Sequence, residues 1–531
     1  MYKKTFRGLV LALSISALCP ALANAQGNAG VQNGQGQAEV NQSIRHDVSP
    51  PLRDIAPLKA KEGREEKPLR YFQELGSTNQ KDPVVQSFAT PAVNVAVSSG
   101  FNFEGVGEGL TGYNVNVAPP DTNGAVGATQ YVQWVNLSFA VFDKSSGNMV
   151  YGPAAGNTLW AGFGGPCETR NDGDPIVQYD KAAGRWVMTQ FALSNGNYQC
   201  VAVSTTSDAT GAYARYQFGP YTDLNDYPKM GVWSDGYYIT FNMFRKRGIN
   251  YTFAGAKVCA YDRAKMIAGQ AATQQCVQLS SSFGGLLPSD LDGSTAPPAG
   301  SPNYLLNFGS NSLNLWKFKV DWANTANTRL TGPTNMPVAA FSTACAGGTC
   351  IPQPGTSQKL DSLGDRLMYR LAYRNFGDHE SLVVNHSVKV NSSGQTGVRW
   401  YEVRSPNGTA SVYQQGTYAP NSDYRWMGSV AMDKLGNMAV GYSVSSTATR
   451  PSIRFAARAA SDPLGTLGLE TSIKDGTGSQ LSNLARWGDY SSLSVDPTDD
   501  CTMWYTTEYI AVNGTFNWHT RIASFKLGGC Q

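Results

Sequence analysis

The chain has 531 residues, of which 15% are charged and 11% are aromatic, and its formal net charge is +3. A charge this small and this balanced, without basic tracts that carry interleaved aromatic residues, argues against nucleic acid or an anionic membrane as a partner. The 56 glycines and the aromatic content are typical of a turn-rich, all-β protein.

The first 25 residues have the pattern of a secretory signal peptide. Lys3, Lys4 and Arg7 precede an apolar stretch from residue 8 to about residue 19, and small residues end the segment before Gln26. A lipoprotein signal at Cys19 is the weaker alternative, because the leucine expected three residues before the cysteine is missing. No later run approaches the roughly 20 apolar residues that span a bilayer. We therefore expect a protein secreted to the periplasm or the cell exterior, with no membrane span.

Residues 26–95 differ in composition from the rest of the chain. They are rich in Asn, Gln, Gly, Pro and charged residues, and they show neither a helical nor a strand period. Such composition buries too little apolar surface to order a chain by itself. The sequence therefore predicts a disordered or loosely attached leader.

The cysteines agree with an oxidising compartment. Eight remain after Cys19, and they fall into pairs that are local in sequence. The predicted disulfides are Cys167 with Cys200, Cys259 with Cys276, Cys345 with Cys350, and Cys501 with Cys530. A zinc site is not expected, because the chain has no Cys-x-x-Cys and only four histidines.

From about residue 101 the chain repeats a pattern of a charged or aromatic start, a short apolar strand, an Asp/Gly turn and a second strand. The starts lie 52 to 75 residues apart, at Asp121, Asp174, Asp226, Asp290, Asp365, Arg425 and Asp489. This spacing is close to the roughly 40 to 50 residues of a four-stranded propeller blade with its loops. We predict one β-propeller domain over residues 96–531, with seven blades and six as the alternative. A segment near residues 96–103 would supply the outer strand of the last blade.

The clearest copy of the pattern is the run Arg486-Trp487-Gly488-Asp489-Tyr490, which continues into the strand that ends at Val495. At these motifs the chain resembles bacterial secreted β-propeller proteins of the broad sialidase-like type, over about residues 110–531. The resemblance is one of architecture and implies a propeller without fixing an activity. The Asp-box Ser-x-Asp-x-Gly-x-Thr-Trp is absent, so classical sialidase activity is not implied.

Residues just before the innermost strands of a propeller converge on a central pocket, where ligands bind. Glycoside hydrolysis needs one protonated and one ionised carboxyl there. The candidate catalytic residues are Asp174, Asp365 and Asp489. The candidate substrate-binding residues, which would stack on sugar rings or hold a sugar carboxylate or hydroxyl, are Asp121, Tyr227, Arg366, Arg425, Trp426, Arg486 and Trp487. The alternative is that each Asp caps a turn by accepting backbone N–H bonds.

These residues lead to a prediction of an exported glycoside hydrolase acting as a monomer on carbohydrate or a cell-surface glycan. A non-catalytic propeller that binds glycan or protein stays open. So does a polysaccharide lyase in which His379 or His386 works with Tyr369 or Tyr373. No cofactor is required, although the acidic loops 289–293 and 496–500 would tolerate a structural Ca²⁺.

Overall fold

The computed structural model describes residues 37–60, 63–72, 80–88 and 95–531. The chain divides into two units, Met1–Asn33 and Gly34–Gln531, and every described residue belongs to the second. The predicted signal peptide therefore lies outside the described residues. The second unit is all-β, as the composition predicted.

Within the described residues, seven successive groups of four antiparallel strands form, which we number sheets I to VII. The strands of sheets I to III are Asn123–Val126, Gln130–Val135, Ser138–Asp143 and Met149–Ala155; Ile176–Asp180, Arg185–Ser194, Gly196–Ser204 and Tyr213–Tyr221; and Leu224–Val232, Gly236–Arg247, Asn250–Asp262 and Thr273–Gln278. Those of sheets IV and V are Leu287–Asp292, Asn303–Gly309, Ser312–Lys319 and Arg329–Pro337; and Met368–Asn375, Glu380–Lys389, Thr396–Arg404 and Ser411–Tyr418. Those of sheets VI and VII are Tyr424–Met432, Met438–Ser445, Ser452–Arg458 and Thr471–Lys474; and Ser492–Val495, Thr502–Ile510, Trp518–Leu527 and Val97–Glu104.

The first strand of each sheet lies against the first strand of the next sheet, from I to VII. Between sheets IV and V the approach is close enough for residues 289–292 to pair in parallel with residues 371–374. The first strand of sheet VII returns to that of sheet I, where the Ser492 hydroxyl donates to the Gly124 carbonyl at 2.7 Å. The first strands therefore lie side by side in an unbroken succession.

Sheet VII joins the two ends of this succession. Its fourth strand, Val97–Glu104, pairs antiparallel with the last strand of the chain, Trp518–Leu527. The prediction that a segment near residues 96–103 completes the last sheet is confirmed. Hydrophobic contacts accompany the pairing, and the ring of Phe101 stacks on Trp504 with 6.0 Å between ring centroids.

Parts of the predicted leader form short strands at the edges of the sheets. Glu39–Gln42 adds a strand to the edge of sheet III, Arg45–Val48 adds one to sheet II, and Val85–Gln86 pairs with the outer strand of sheet V. Backbone pairing with an existing edge orders these residues without a core of their own. The composition did not reveal this, because edge pairing needs no apolar periodicity.

The remaining elements are short. Minor strands are Glu65–Glu66 with Val117–Ala118, Thr349–Ile351 with Leu360–Asp361, and Ser342–Thr343 on sheet V. The helices are Leu52–Asp54, Gly156–Trp160, Pro166–Thr169, Arg263–Ile267, Thr325–Asn327 and Ala344–Gly347. Among the described residues, no helix has the length and apolarity to cross a membrane.

All four predicted disulfides form with the predicted partners: Cys167–Cys200, Cys259–Cys276, Cys345–Cys350 and Cys501–Cys530. The second of these joins directly paired residues on neighbouring strands of sheet III. The last joins the loop before the second strand of sheet VII to the C-terminal tail. Four disulfides and the lack of a membrane-spanning helix in the described chain are consistent with an exported protein.

Candidate functional site

A cavity of about 240 Å³ lies where the first strands of the sheets begin. Its walls come from several sheets and from residues 65–70, which cross it. The predicted site residues that line it are Asp121, Asp174, Tyr227, Arg366, Arg486 and Asp489. Sheets I, II, III, V and VII, or the loops that lead into them, thus each contribute a predicted residue to one cavity.

The residues that begin the first strands share an unusual backbone conformation. Asp121, Asp174 and Asp489 have φ values of 48°, 48° and 63°, and Tyr227 and Met427 have 55° and 54°. All five lie in the left-handed region, which non-glycine residues seldom occupy and which clusters at functional sites. The shared conformation also corrects the repeat register, since the equivalent positions in sheets III and VI are residues 227 and 427 instead of 226 and 425.

Asp290 was also placed at a repeat start, but it lies within the first strand of sheet IV. Its carboxylate accepts from Arg370 Nε at 2.9 Å and from the backbone N–H of Val232 at 2.9 Å. Asp292 binds the same Arg370 and also Lys181, at 2.9 Å and 2.8 Å. These carboxylates balance buried cations, so this part of the sequence pattern is structural.

Three aspartates from separate sheets surround one buried lysine. Burial raises the pKa of Asp121 well above its usual range, and the carboxylates of Asp489 and Asp174 raise it further. Burial also lowers the pKa of Lys229 to about 7, against the attraction of these aspartates. The Lys229 ammonium lies 3.4 Å and 3.8 Å from the ring centroids of Tyr227 and Tyr490. Lys229 is only 1% exposed, and nothing in the sequence distinguished it from an ordinary strand residue.

Asp174 is a carboxyl whose pKa lies near neutral pH. Burial, followed by the carboxylate of Asp226, raises its pKa to about 7. One of its oxygens accepts the backbone N–H of Tyr227 at 3.1 Å. At neutral pH this side chain therefore exchanges a proton readily, as a general acid or base must.

Asp489 is instead placed against a cation. Its Oδ2 accepts from Arg486 at 2.7 Å, while its Oδ1 is buried without a hydrogen-bond partner in the structure. Arg486 also binds the Asp361 carboxylate at 2.7 Å, and burial raises the pKa of Asp361 to about 6. The Glu508 carboxylate accepts a hydrogen bond from the backbone N–H of Gly488. Burial raises the pKa of Glu508 well above its usual range. Asp361 and Glu508 were not predicted, because neither stands in the repeated motif.

Arg366 reaches the cavity, but the predicted catalytic residue Asp365 does not line it. Both oxygens of Asp365 bind Arg366, at 2.8 Å and 3.1 Å, and the residue is only 3% exposed. The guanidinium also lies 4.4 Å from the ring centroid of Tyr227. In this structure Asp365 orients Arg366 and does not itself line the cavity.

The remaining predicted residues lie outside the cavity. Trp426 and Trp487 are fully buried and pack on each other with 5.5 Å between ring centroids, so neither ring is open for stacking on a sugar. Arg425 is equally buried and binds Glu470 at 2.7 Å. The aromatic and basic residues near the sheet VI start thus belong to the protein core.

The histidines considered for a lyase are also elsewhere. His386 is fully buried, 2.9 Å from the Tyr401 hydroxyl, and His379 stacks on Phe376 beside Asp378. Neither lines the central cavity. Tyr369 is bound to the Met230 carbonyl at 3.0 Å.

The acidic loops considered for calcium are neutralised by cations of the protein. Asp496 binds Lys144 at 3.0 Å, Asp499 binds Lys526 at 2.9 Å, and Asp500 binds Arg374 at 2.7 Å. No group of side chains suited to a metal ion occurs among the described residues.

No protein-family model and no curated protein matches the chain. Among solved structures, a protein of unknown function from Dyadobacter fermentans aligns over 66% of this chain and 94% of its own at 10% identity, with a TM-score of 0.32. An exo-β-1,3-galactanase from Clostridium thermocellum aligns over 67% and 78% at 12% identity, with a TM-score of 0.29. A polysaccharide lyase described as an ulvan lyase aligns over 79% and 97% at 12% identity, with a TM-score of 0.34. The function proposed below therefore rests on the geometry of the site.

Proposed function

We propose that the seven sheets are the blades of one closed β-propeller and that the protein is an exported carbohydrate-active enzyme of the glycoside hydrolase type. The observation that carries the proposal is that two carboxyls with different environments, those of Asp174 and Asp489, line one central cavity. Asp174 has a pKa of about 7, and Asp489 is ion-paired with Arg486 at 2.7 Å. A glycosidase divides its two carboxyl roles in this way, because the environments of the two groups differ.

In the proposed mechanism Asp174 is the general acid. It donates its proton to the glycosidic oxygen as the bond to the anomeric carbon breaks, so the leaving sugar departs as a neutral alcohol. Asp489 faces the developing positive charge on the sugar ring, and a water molecule then bonds to the anomeric carbon and gives its proton to the ionised Asp174. Arg486 orients Asp489 through Oδ2, and the Oδ1 that has no hydrogen-bond partner in the structure is the oxygen placed to act.

Two further residues would bind the substrate. Asp121 is 1% exposed, its Oδ1 has no hydrogen-bond partner in the structure, and burial keeps its pKa high. As a neutral acid it would both donate to and accept from a sugar hydroxyl. Arg366, which lines the cavity while Asp365 holds it, would bind a hydroxyl or carboxylate of the sugar.

A non-catalytic glycan-binding propeller is the second candidate. It is disfavoured because Trp426 and Trp487, the rings predicted to stack on sugar, are buried outside the cavity. Binding modules for sugars rely on such rings for their contact area. The lyase alternative is disfavoured because His379 and His386 lie outside the cavity.

The test is a screen of the purified exported protein on a panel of neutral and anionic polysaccharides, with release of reducing ends as the readout. We expect release by the parent protein, with a rate that falls as pH rises above about 7 because Asp174 loses its proton. Asp174→Asn and Asp489→Asn should each lower kcat by at least about 100-fold. Asp378→Asn, at an 82% exposed carboxylate, is the matched control and should leave the rate unchanged.

Two results would contradict the proposal. Unchanged hydrolysis by Asp174→Asn would remove the general acid from the mechanism. Saturable binding of a polysaccharide without release of reducing ends, by parent and Asp489→Asn alike, would favour the non-catalytic binding protein.

A further inference from the structure

Residues 65–72, here called the strap, cross the central cavity as an extended segment. The backbone N–H groups of Glu65 and Lys67 donate to the carbonyls of Asn116 and Ala118 at 2.8 Å and 2.7 Å. Lys67, Pro68, Leu69 and Arg70 then form part of the cavity wall. The composition of this segment had suggested no ordered structure.

The strap engages the groups that would bind a ligand. Arg486 Nε donates to the Lys67 carbonyl at 2.9 Å, and Arg366 donates to the Arg70 carbonyl at 3.2 Å. Both arginines were expected from the sequence to contact substrate. Carbonyls of the strap therefore accept hydrogen bonds from both arginines, which line the cavity.

The strap also forms an ion pair with an acidic residue that lines the cavity. The Arg70 guanidinium binds the Asp226 carboxylate at 3.0 Å and lies 5.1 Å from the ring centroid of Tyr251. This ion pair is partly exposed, with side-chain exposures of 27% and 14%. Replacing Arg70 would leave the mostly buried Asp226 carboxylate without this cation.

The end of the strap is held by an aromatic side chain. Phe72 is 8% exposed and packs against Leu224, Phe244 and Phe253. A Cβ at Gly284 or Gly285 would lie within 2.4 Å or 2.6 Å of the Phe72 ring, so two glycines make room for it. The ring thus sits in a fitted socket beside the cavity.

The space left beneath the strap is small. It is about 240 Å³, whereas sites for small ligands commonly measure about 300 to 1,000 Å³. A polysaccharide also needs an open path on both sides of the cleaved bond. The strap forms part of the wall of this small space.

We propose that the strap is an intramolecular occupant of the active site that substrate must displace, so that the protein is exported in an autoinhibited state. This inference rests on the proposed function for the identity of the competing ligand. The leader stays attached when the strap leaves, because Arg45–Val48 pairs with sheet II before it and Val85–Gln86 pairs with sheet V after it. Release therefore breaks the short pairing of Glu65–Glu66 with Val117–Ala118 and exposes Arg366, Arg486 and Asp226, while sheets I to VII stay intact.

The test compares the parent with a double variant, Arg70→Glu with Phe72→Ala, which reverses the ion pair and empties the socket. Access to the cavity is measured directly by coupling carboxyls to glycine ethyl ester with a water-soluble carbodiimide and following Asp174 and Asp489 by peptide mass spectrometry. We expect labelling of both to be at least about tenfold faster in the variant, since each 1.4 kcal/mol of lost attachment raises the open population tenfold. The rate of reducing-end release should rise in parallel.

The matched control is Arg53→Glu with Phe88→Ala, which makes the same changes elsewhere in the leader. Arg53 binds Asp208 at 2.8 Å, and Phe88 is 64% exposed. This protein should label and hydrolyse like the parent. If the double variant loses its near-UV circular dichroism, Phe72→Ala alone replaces it.

The outcomes separate the two proposals. Equal labelling of Asp174 and Asp489 in parent and variant would overturn the strap inference, whatever the activity. Faster labelling without hydrolysis of any polysaccharide would support the strap as an occluding segment and would overturn the glycosidase.

Discussion

At the scale of single residues, the site is built by backbone conformation as much as by side-chain identity. Asp121, Asp174 and Asp489 each adopt a left-handed φ at the start of a first strand. Asp tolerates this conformation better than most residues. The repeated Asp therefore fits both interpretations of the sequence, as a turn residue and as a site residue. It tolerates the turn conformation, and it also places a carboxyl in the cavity.

The pKa of Asp174 leads to a prediction about stability. An acid whose pKa is about 7 when folded, against about 3.9 when unfolded, binds its proton more tightly in the folded state. Its contribution to stability therefore falls as pH rises from about 4 to about 7. Asp174→Asn cannot ionise, so we expect it to be more stable than the parent at pH 8, by roughly 4 kcal/mol, and nearly equal at pH 4.

Urea denaturation of both proteins at the two pH values measures this difference. Asp378→Asn, at an exposed carboxylate, serves as the control and should show no gain at pH 8. A variant less stable than the parent at pH 8 would show that the ionised Asp174 stabilises the fold.

Half of the site could be predicted from the sequence. The motif that places Asp before an alternating strand identified Asp121, Asp174, Asp489 and the neighbouring Arg486, because one physical rule governs all repeats. Lys229 and Glu508 could not be predicted, since each lies within a strand and approaches the aspartates of the site only through the packing of separate sheets.

At the scale of elements, the sheets meet along their first strands, and small residues permit the closest approach. A Cβ at Gly231 in sheet III would lie 2.4 Å from the Ser289 carbonyl oxygen in sheet IV. At Gly441 in sheet VI it would lie 2.6 Å from the ring of Tyr505 in sheet VII. Glycine within these strands thus sets the distance between neighbouring sheets.

Gly231→Ala should consequently destabilise the protein. The new methyl group meets backbone, which cannot rotate away, so we expect a loss of about 1 to 3 kcal/mol in the free energy of unfolding. Gly408→Ala is the matched control, because its Cβ would approach nothing closer than 3.9 Å. Urea denaturation compares them, and equal stability of the two variants would mean that sheets III and IV can move apart without cost.

The strand pattern predicted the sheets well and their register less well. Alternating residues followed by Asp/Gly turns identify strands locally, and the completion of sheet VII by residues near 97 followed from a shortage of strands after Asp489. The starts at Asp226, Asp290 and Arg425 were misplaced by one or more residues, because an irregularity in the strand pairing at residues 226–229 and 426–429 shifts the alternation. Such a shift changes which side chain faces the cavity.

At the scale of the whole molecule, covalent links add to the contacts between distant parts of the chain. Cys501–Cys530 closes a loop of 29 residues around the last sheet, and Cys345–Cys350 closes one of 5 residues. The longer loop removes more freedom from the unfolded chain. The two bonds should therefore differ in their contribution to stability.

Replacing both cysteines of each pair with serine tests this expectation. The loss should be about 3 to 4 kcal/mol for Cys501/Cys530 and about 2 kcal/mol for Cys345/Cys350 on the loop-entropy relation. Urea denaturation under oxidising conditions provides the values. The reverse order would mean that local packing around Cys345 outweighs chain entropy.

The strand Val97–Glu104 has a further consequence for biosynthesis. Its partner, Trp518–Leu527, is made more than 400 residues later, so sheet VII cannot be completed until that segment has been synthesised. The early strand lacks its sheet VII partner until then. The joining of sheet VII to sheet I is therefore a late step in biosynthesis, which follows the synthesis of sheets I to VI.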